Sequence, residues 1–393
     1  MDDLHGNLRG IIEHMDDIQN LGIDVLYMTP IFQSNSCHKY DTTDYYQIDP
    51  SFGTTEDLKE LVQKAHERGM KVVLDAVYNH TGREFFAFAD ILENGEKSKY
   101  RDWYFIDGFP LKSEWGEIPN FKCFGYYGGM PKLNLKNPEV EKYITDVACY
   151  WIKECDIDGW RLDVGDEISH FFWKNFRKAV KAVKKDLLII GEIWHYAGDF
   201  LEGDEWDTVM NYPFYLNLID LLADEKITVS QFVQNLGYLK GRLNKNCYPL
   251  MWNLIDSHDT ARFLHLCNDN KKKQHLAAAF QLLLPGMPMI YYGDEYAMPG
   301  ANDPDCRRGM YWDEEYQDKE MYEWYKRLIQ VRKSHACIVE GELAGIVTED
   351  EEGTIVLIRK NGEETIAMIF NCSSSAKKFM STRRSTICLP KHL

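Results

Sequence analysis

The 393 residues carry 45 Lys and Arg against 62 Asp and Glu, a formal charge of −17, and 45% of them are apolar. That length allows one barrel-sized domain and a smaller one without disulfide support, and the acidic balance repels polyphosphate, which argues against a nucleic-acid partner. No stretch has the apolar length of a membrane span, the opening MDDLHGNLRG lacks the regions of a signal peptide, and the ten cysteines show no CxxC or metal-ligand spacing, so a reducing, cytoplasmic setting is expected.

In chain order, Leu8, Ile11, Ile12, Met15, Ile18 and Leu21 recur at helical spacing, and Gly22 stops the helix before the apolar run Ile23 to Met28. A second helix, from about Thr54 to Arg68, ends at Gly69 and leads into the apolar strand Lys71 to Val77. After His80 the rhythm stops for about fifty aromatic, Gly- and Pro-rich residues, too many for an ordinary connection, which predicts an inserted subdomain. Asn137-Pro138 then opens a helix that runs to about Glu154 and feeds a strand at Asp158 to Asp163. Further strands are expected at Leu187–Glu192, around Thr208–Met210, at Leu250–Asp256 and at Met289–Tyr292, separated by helices such as Ile168–Lys185 and Lys271–Leu284. From about Cys337 the pattern turns to alternation, and Asn361-Gly362 between Thr354–Arg359 and Thr365–Phe370 reads as a hairpin with type I′ turn residues.

Seven strands alternating with helices favour a (β/α)₈ TIM-type barrel over a doubly wound sheet, since no Gly-rich phosphate fingerprint is present. The expected organisation is α/β: barrel at 1–80, inserted subdomain at 81–133, barrel again at 134–335, and a small antiparallel C-terminal β-domain at 336–393. In such a barrel chemistry gathers where strands end. Five strands here finish in polar residues, as Asp75-Ala-Val-Tyr-Asn-His80, Gly159-Trp-Arg-Leu-Asp163, Gly191-Glu-Ile-Trp-His195, Leu254-Ile-Asp-Ser-His-Asp259 and Tyr291-Tyr-Gly-Asp-Glu295. One such ending is usually a turn former or a helix cap; five together point to a site.

Glycoside hydrolysis needs one carboxylate to attack the anomeric carbon and one carboxylic acid to protonate the departing oxygen, about 5–5.5 Å apart in retaining enzymes. Asp163 and Glu192, ending successive strands, suit that pair. Arg161, two residues before Asp163, projects to the same side and favours its ionised form. Glu192 is flanked by Ile193 and Trp194, an apolar setting suited to keeping the proton an acid must give. His80 and His258 can donate to sugar hydroxyls, and Asp259 adds an acceptor for a developing oxocarbenium ion. Ten Trp, 23 Tyr and 19 Phe suit sugar stacking, as they also suit any large core.

These residues resemble the α-amylase superfamily of retaining glycoside hydrolases. The resemblance covers roughly Asn7 to Asp313 and lies in DAVYNH at 75–80, GWRLDV at 159–164, GEIWH at 191–195 and SHDT at 257–260. It implies Asp163 as nucleophile, Glu192 as general acid/base and Asp259 as the carboxylate that fixes and distorts the sugar. It also implies that Tyr40 stacks on the sugar ring and that His80, Arg161, Trp194, His258, Asp303 and Arg307 bind substrate. Met130-Pro-Lys-Leu-Asn134 and NDPDCRR at 302–308 are similar to the neopullulanase, cyclomaltodextrinase and maltogenic amylase branch. That branch implies α-1,4 cleavage, with α-1,6 cleavage beside it, in cyclodextrins, pullulan and maltooligosaccharides, with some transglycosylation.

The resemblance also implies a barrel strand before Leu8, and the sequence as given supplies seven strands, so the first is expected to be missing and the chain truncated. No cofactor or resident metal is expected: calcium belongs to the family, but Asn79 alone makes a poor case for an ion that takes six to eight oxygens. The expected partners are α-glucan oligosaccharides, with no nucleic acid and no membrane, and oligomerisation is left open. Two other readings are a non-catalytic amylase-like binding subunit, since fold does not fix activity, and an enzyme of different specificity, an oligo-1,6-glucosidase or a glucanosyl- or sucrose-acting relative.

Overall fold

Short apolar runs bounded by glycine and capped helices give parallel strands, and the structure, a computed structural model, pairs them in chain order. It describes residues 6–112, 118–362 and 364–375. These fall into two units, residues 1–193 with 199–209, and residues 194–198 with 210–393.

In the first unit Val25–Met28, Lys71–Ala76, Gly159–Leu162, Leu188–Gly191 and Thr208–Val209 form an all-parallel sheet, each paired with the next. The intervening helices are started by side chains. Thr54 caps Thr55–Glu67 through a reciprocal capping box with Asp57, Asn137 caps Pro138–Cys155 with proline in the first turn, and Ser169 caps His170–Val183. Their apolar faces bury Trp151 and Trp173, and the strand face opposite Arg161 buries Trp160. The helix expected over Leu8–Leu21 is divided at His14, whose φ of −100° and ψ of 14° leave Leu8–Glu13 and Met15–Leu21 as separate turns. An antiparallel pair, Phe32–Ser34 with Thr42–Ile48, was not anticipated. Residues 81–133 hold the helix Phe86–Asn94 and isolated antiparallel bridges, of which His80 to Lys132 returns the segment to the strand end it left.

The second unit has parallel pairing of its own. Met210 bridges Trp252, and Trp252–Asn253 pairs with Met287–Pro288. The last strand thus lies two residues before the expected Met289–Tyr292, because Met287 N–H donates to Met251 and Met289 N–H to Asn253, at 2.8 Å each. Helix Lys271–Leu283 ends under Arg332, whose guanidinium donates to the carbonyls of Leu282 at 2.8 Å and Gly286 at 2.5 Å. The C-terminal sheet has three antiparallel strands, Glu342–Glu349, Thr354–Asn361 and Glu364–Asn371, the first beyond the expected hairpin. Phe370 stacks on Phe280 at 4.3 Å, which docks this sheet on the helix. The basic stretch Lys377–Leu393 lies outside the described residues. Among those described, no helix is long and apolar enough to cross a membrane.

One buried cluster in this unit makes stability depend on pH. Asp256, Arg262, Asp294 and Glu295 are all buried, none more than 7% exposed, and burial pushes the Glu295 carboxyl from 4.5 up to about 7. A folded-state value above the unfolded one contributes stability that is complete below about pH 4.5 and is lost as pH rises through about 7. The expected result is that Glu295→Gln flattens this part of the profile, by a few kcal/mol at most, in urea unfolding compared at mildly acid and mildly alkaline pH.

Candidate active site

Strand register sets the first group of side chains. Asp75 is directly opposite Arg161, and Tyr27 is opposite Val73, two residues before Asp75 and so on the same face. Asp163 and Glu192 extend the ladder by one residue each, their amides donating to Ala76 at 3.1 Å and Leu162 at 3.0 Å. The result is a fully buried guanidinium at the carboxyl ends of three neighbouring strands. Arg161 Nη1 donates to both oxygens of Asp75 at 3.1 Å and to Asp163 Oδ1 at 3.0 Å, and Nη2 lies 2.9 Å from Glu192 Oε2.

Glu192 therefore does not sit in the apolar surroundings that Ile193 and Trp194 suggested. Side chains alternate along the chain, so its carboxylate turns away from Ile193 and toward Arg161, and Oε2 also accepts from Val164 N–H at 2.9 Å. Val164 reaches that position with φ of +40°, a left-handed conformation costly for a β-branched residue and over-determined here by the 3₁₀ turn Gly165–Glu167 that follows. Trp206 packs both glycines beside the carboxylates: a Cβ on Gly191 would lie 2.2 Å from its ring and one on Gly165 2.7 Å.

Tyr40 packs against Val77 and Met130, and its hydroxyl donates to Asp75 Oδ2 at 3.0 Å, beside that of Tyr27 at 2.7 Å. Burial lowers the His80 imidazole to a pKa of about 4, so it stays neutral at neutral pH. Its Nε2 lies 3.0 Å from the Tyr40 carbonyl, Nδ1 lies 3.4 Å from Asn79 Nδ2, and the ring stacks on Phe124 at 5.2 Å.

The second group lies in the other unit. Asp259 follows His258, whose Nε2 is 3.1 Å from Asp259 Oδ2. Arg307 Nε donates to the His258 carbonyl at 2.9 Å and is 2.7 Å from Asp303, and Nη2 is 3.4 Å from Asp259. Trp194, 40% exposed, stacks on Tyr212 at 3.9 Å, and the Tyr212 hydroxyl is 3.3 Å from Ser257 Oγ in the SHDT segment. Asp163, Glu192, Arg161, Tyr40 and His80 are thus gathered in one unit, and Asp259, His258, Asp303, Arg307 and Trp194 in the other.

Sequence reasoning missed Tyr27, Val164 and Tyr212. It noted Asp75 as a strand end without placing it in the site. Only Asp75 carried a local signal, a buried acid in an apolar strand.

The oxygens of Asn79 and Glu167 meet a lysine. Asn79 Oδ1 accepts from Lys132 Nζ at 2.6 Å, and the same ammonium reaches Glu167 Oε2 at 2.8 Å and the Glu167 carbonyl at 3.0 Å. Among the described residues no group of three or more His, Cys, Asp or Glu is placed to hold a metal ion.

Removing the shared guanidinium leaves three neighbouring carboxylates without their cation. Arg161→Met is expected to destabilise the chain by about 3–5 kcal/mol, as when one partner of a buried ion pair is lost; urea unfolding at neutral pH measures it.

The order of parallel strands and carboxylates at strand ends agrees with the family comparison: residues 1–341 match the alpha amylase catalytic domain. The chain belongs to the α-amylase family, with a (β/α)₈ barrel fold and a C-terminal antiparallel β-domain. It is 51% identical over 379 residues to a cyclomaltodextrinase of Thermoanaerobacter pseudethanolicus, covering 96% of this chain and 65% of that protein. It is 43% identical over 367 residues to neopullulanase 2 of Thermoactinomyces vulgaris, covering 93% and 62%. A solved cyclic alpha-maltosyl-(1→6)-maltose hydrolase from Arthrobacter globiformis superposes with a TM-score of 0.89 at 38% identity, covering 93% of this chain and 82% of that one. The chain spans just under two thirds of the length of curated relatives such as the Thermoanaerobacter protein.

Proposed function

We propose that this chain carries out retaining hydrolysis of α-1,4-glucosidic bonds, with α-1,6 bonds as a second target, in cyclodextrins, pullulan and maltooligosaccharides, in the cytoplasm. The observation that carries this reading is the pair Asp163 and Glu192 at the ends of neighbouring strands, both against one buried guanidinium. Asp163, paired with Arg161, attacks the anomeric carbon, and Glu192 protonates the departing oxygen and then takes a proton from water. A sugar hydroxyl arriving instead of water gives transglycosylation. Asp259 binds the distorted sugar with His258 and Arg307, Asp303 orients Arg307, and Tyr40 and Trp194 offer aromatic faces. His80 takes part once it exchanges the Tyr40 carbonyl for a sugar hydroxyl.

Relatives named cyclomaltodextrinase, maltogenic alpha-amylase and neopullulanase support the substrate class. A Bacillus subtilis relative named intracellular maltogenic amylase, 42% identical, supports the compartment, as do the free thiols of the described cysteines. The test is incubation of the purified chain with β-cyclodextrin, pullulan and isomaltose, with anomers followed by NMR. Maltose-sized products of retained configuration are expected. Inverted products would overturn the mechanism, glucose from isomaltose alone would place the chain with the 1,6-glucosidases, and binding without turnover would favour the binding subunit.

A further inference from the structure

Three carboxylates face one arginine in the first unit, and the most deeply buried of them, Asp75, has no part in the reaction just described. Its side chain is wholly inaccessible, against 11% for Asp163 and 7% for Glu192. Every donor around it is accounted for. Oδ2 accepts from Tyr27 at 2.7 Å, Tyr40 at 3.0 Å and Arg161 at 3.1 Å, and Oδ1 accepts from Arg161 at 3.1 Å. Asp75 thus joins the ring of Tyr40 to the guanidinium that touches Asp163 and Glu192.

We propose that Asp75 is a positioning residue that couples the Tyr40 ring to the Asp163 and Glu192 carboxylates through Arg161, and that the coupling exists only while Asp75 is ionised. The second half follows from hydrogen-bond capacity. A proton on Oδ2, which accepts three hydrogen bonds, would displace a tyrosine hydroxyl or the arginine, and a proton on the free lone pair of Oδ1 would remove the negative charge that holds Arg161. Either way the chain Tyr40–Asp75–Arg161 is weakened. The groups facing Asp75 are Tyr27 and Tyr40, which favour its charge by hydrogen bonding, Arg161, which favours it by attraction, and Glu192, which opposes it. Burial outweighs these and raises the carboxyl from 3.8 to about 6, so the link switches in mildly acid solution.

This inference rests on the reading of Asp163 and Glu192 as the reacting pair, so its test carries one readout that needs no turnover. The wild type, Asp75→Asn, Tyr27→Phe, Tyr40→Phe and the double variant Asp75→Asn/Tyr40→Phe are compared for kcat/KM on β-cyclodextrin and for urea unfolding across mildly acid to neutral pH. The wild type should show an acid limb near pH 6 in kcat/KM, which reports the free enzyme. Tyr27→Phe removes a donor to the ionised carboxylate and should move that limb to higher pH; Asp75→Asn should abolish it. At neutral pH Asp75→Asn and Tyr40→Phe should each raise KM about tenfold, the scale of one hydrogen bond to a charged group, and the double variant should be no worse than the worse single one. An acid limb unmoved by Tyr27→Phe overturns the ionisation step, and additive losses in the double variant overturn the link. If no glucan is turned over, the proposed function falls. Asp75 is then judged by unfolding alone: its contribution to stability should be present below about pH 4 and lost as pH rises through about 6. An identical stability profile in the wild type and a folded Asp75→Asn overturns the proposal.

Discussion

Replacing Glu192 by Gln is expected to lower kcat on β-cyclodextrin by about 10²–10⁴-fold, the contribution of a positioned proton donor, with KM little changed. The amide keeps the shape of the side chain, and its oxygen can still accept from Val164 N–H, a contact of 2.9 Å in the native chain. What disappears is the proton for the departing oxygen. A substrate that leaves as a stable anion needs no such proton, so a maltosyl fluoride should keep far more of its rate in the first, bond-breaking step than the cyclodextrin does. The measurement is the ratio of wild-type to variant rates on the two substrates under single-turnover conditions. Equal losses on both would show that Glu192 serves binding or folding instead of proton transfer.

The larger effect is expected for Asp163→Ala. Here the loss should exceed that of the acid/base variant, because without the carboxylate no covalent glycosyl-enzyme can form. The cavity left beside Arg161 faces a guanidinium formerly 3.0 Å from Asp163 Oδ1, a setting that attracts a small anion. Added azide should therefore restore part of the turnover of an α-linked substrate and give the β-glycosyl azide, since it attacks from the face the carboxylate had used. NMR of the product decides the matter. Rescue with the α-azide, or full activity without azide, would remove Asp163 from the nucleophile position.

The placement of these two acids was legible because a buried parallel strand is written as an apolar run with its first polar residue at the end. Side-chain alternation was enough to put Arg161 beside Asp163. The setting of Glu192 was misread from the same local view. Its chain neighbours Ile193 and Trp194 are apolar, but its carboxylate meets Arg161 of the adjoining strand, and only the register Arg161 to Ile190 reveals that. Tyr27 and Asp75 meet across strands in the same way, and the stack of Trp194 on Tyr212 joins residues eighteen positions apart that no periodicity relates. Strand bounds were least legible where pairing is brief, as at Trp252–Asn253 and Met287–Pro288, since two residues carry no alternation to read. The added strand Glu342–Glu349 is largely exposed, so burial wrote little into its sequence.

The indole of Trp206 resting on Gly191 and Gly165 leaves no room for a methyl group on either, and this constrains how the sequence can change over generations or in a mutant library. Neither glycine bears a functional group, so a screen for activity would report both as intolerant although neither has a side chain to react with a substrate. The tolerance is conditional on a third position. Trp206→Leu or a smaller residue opens the space, after which alanine at 191 or 165 becomes acceptable; the reverse order passes through a variant with a methyl group driven into the indole ring. Paths between present-day sequences and distant variants at these three sites should run in one direction, with the indole lost first.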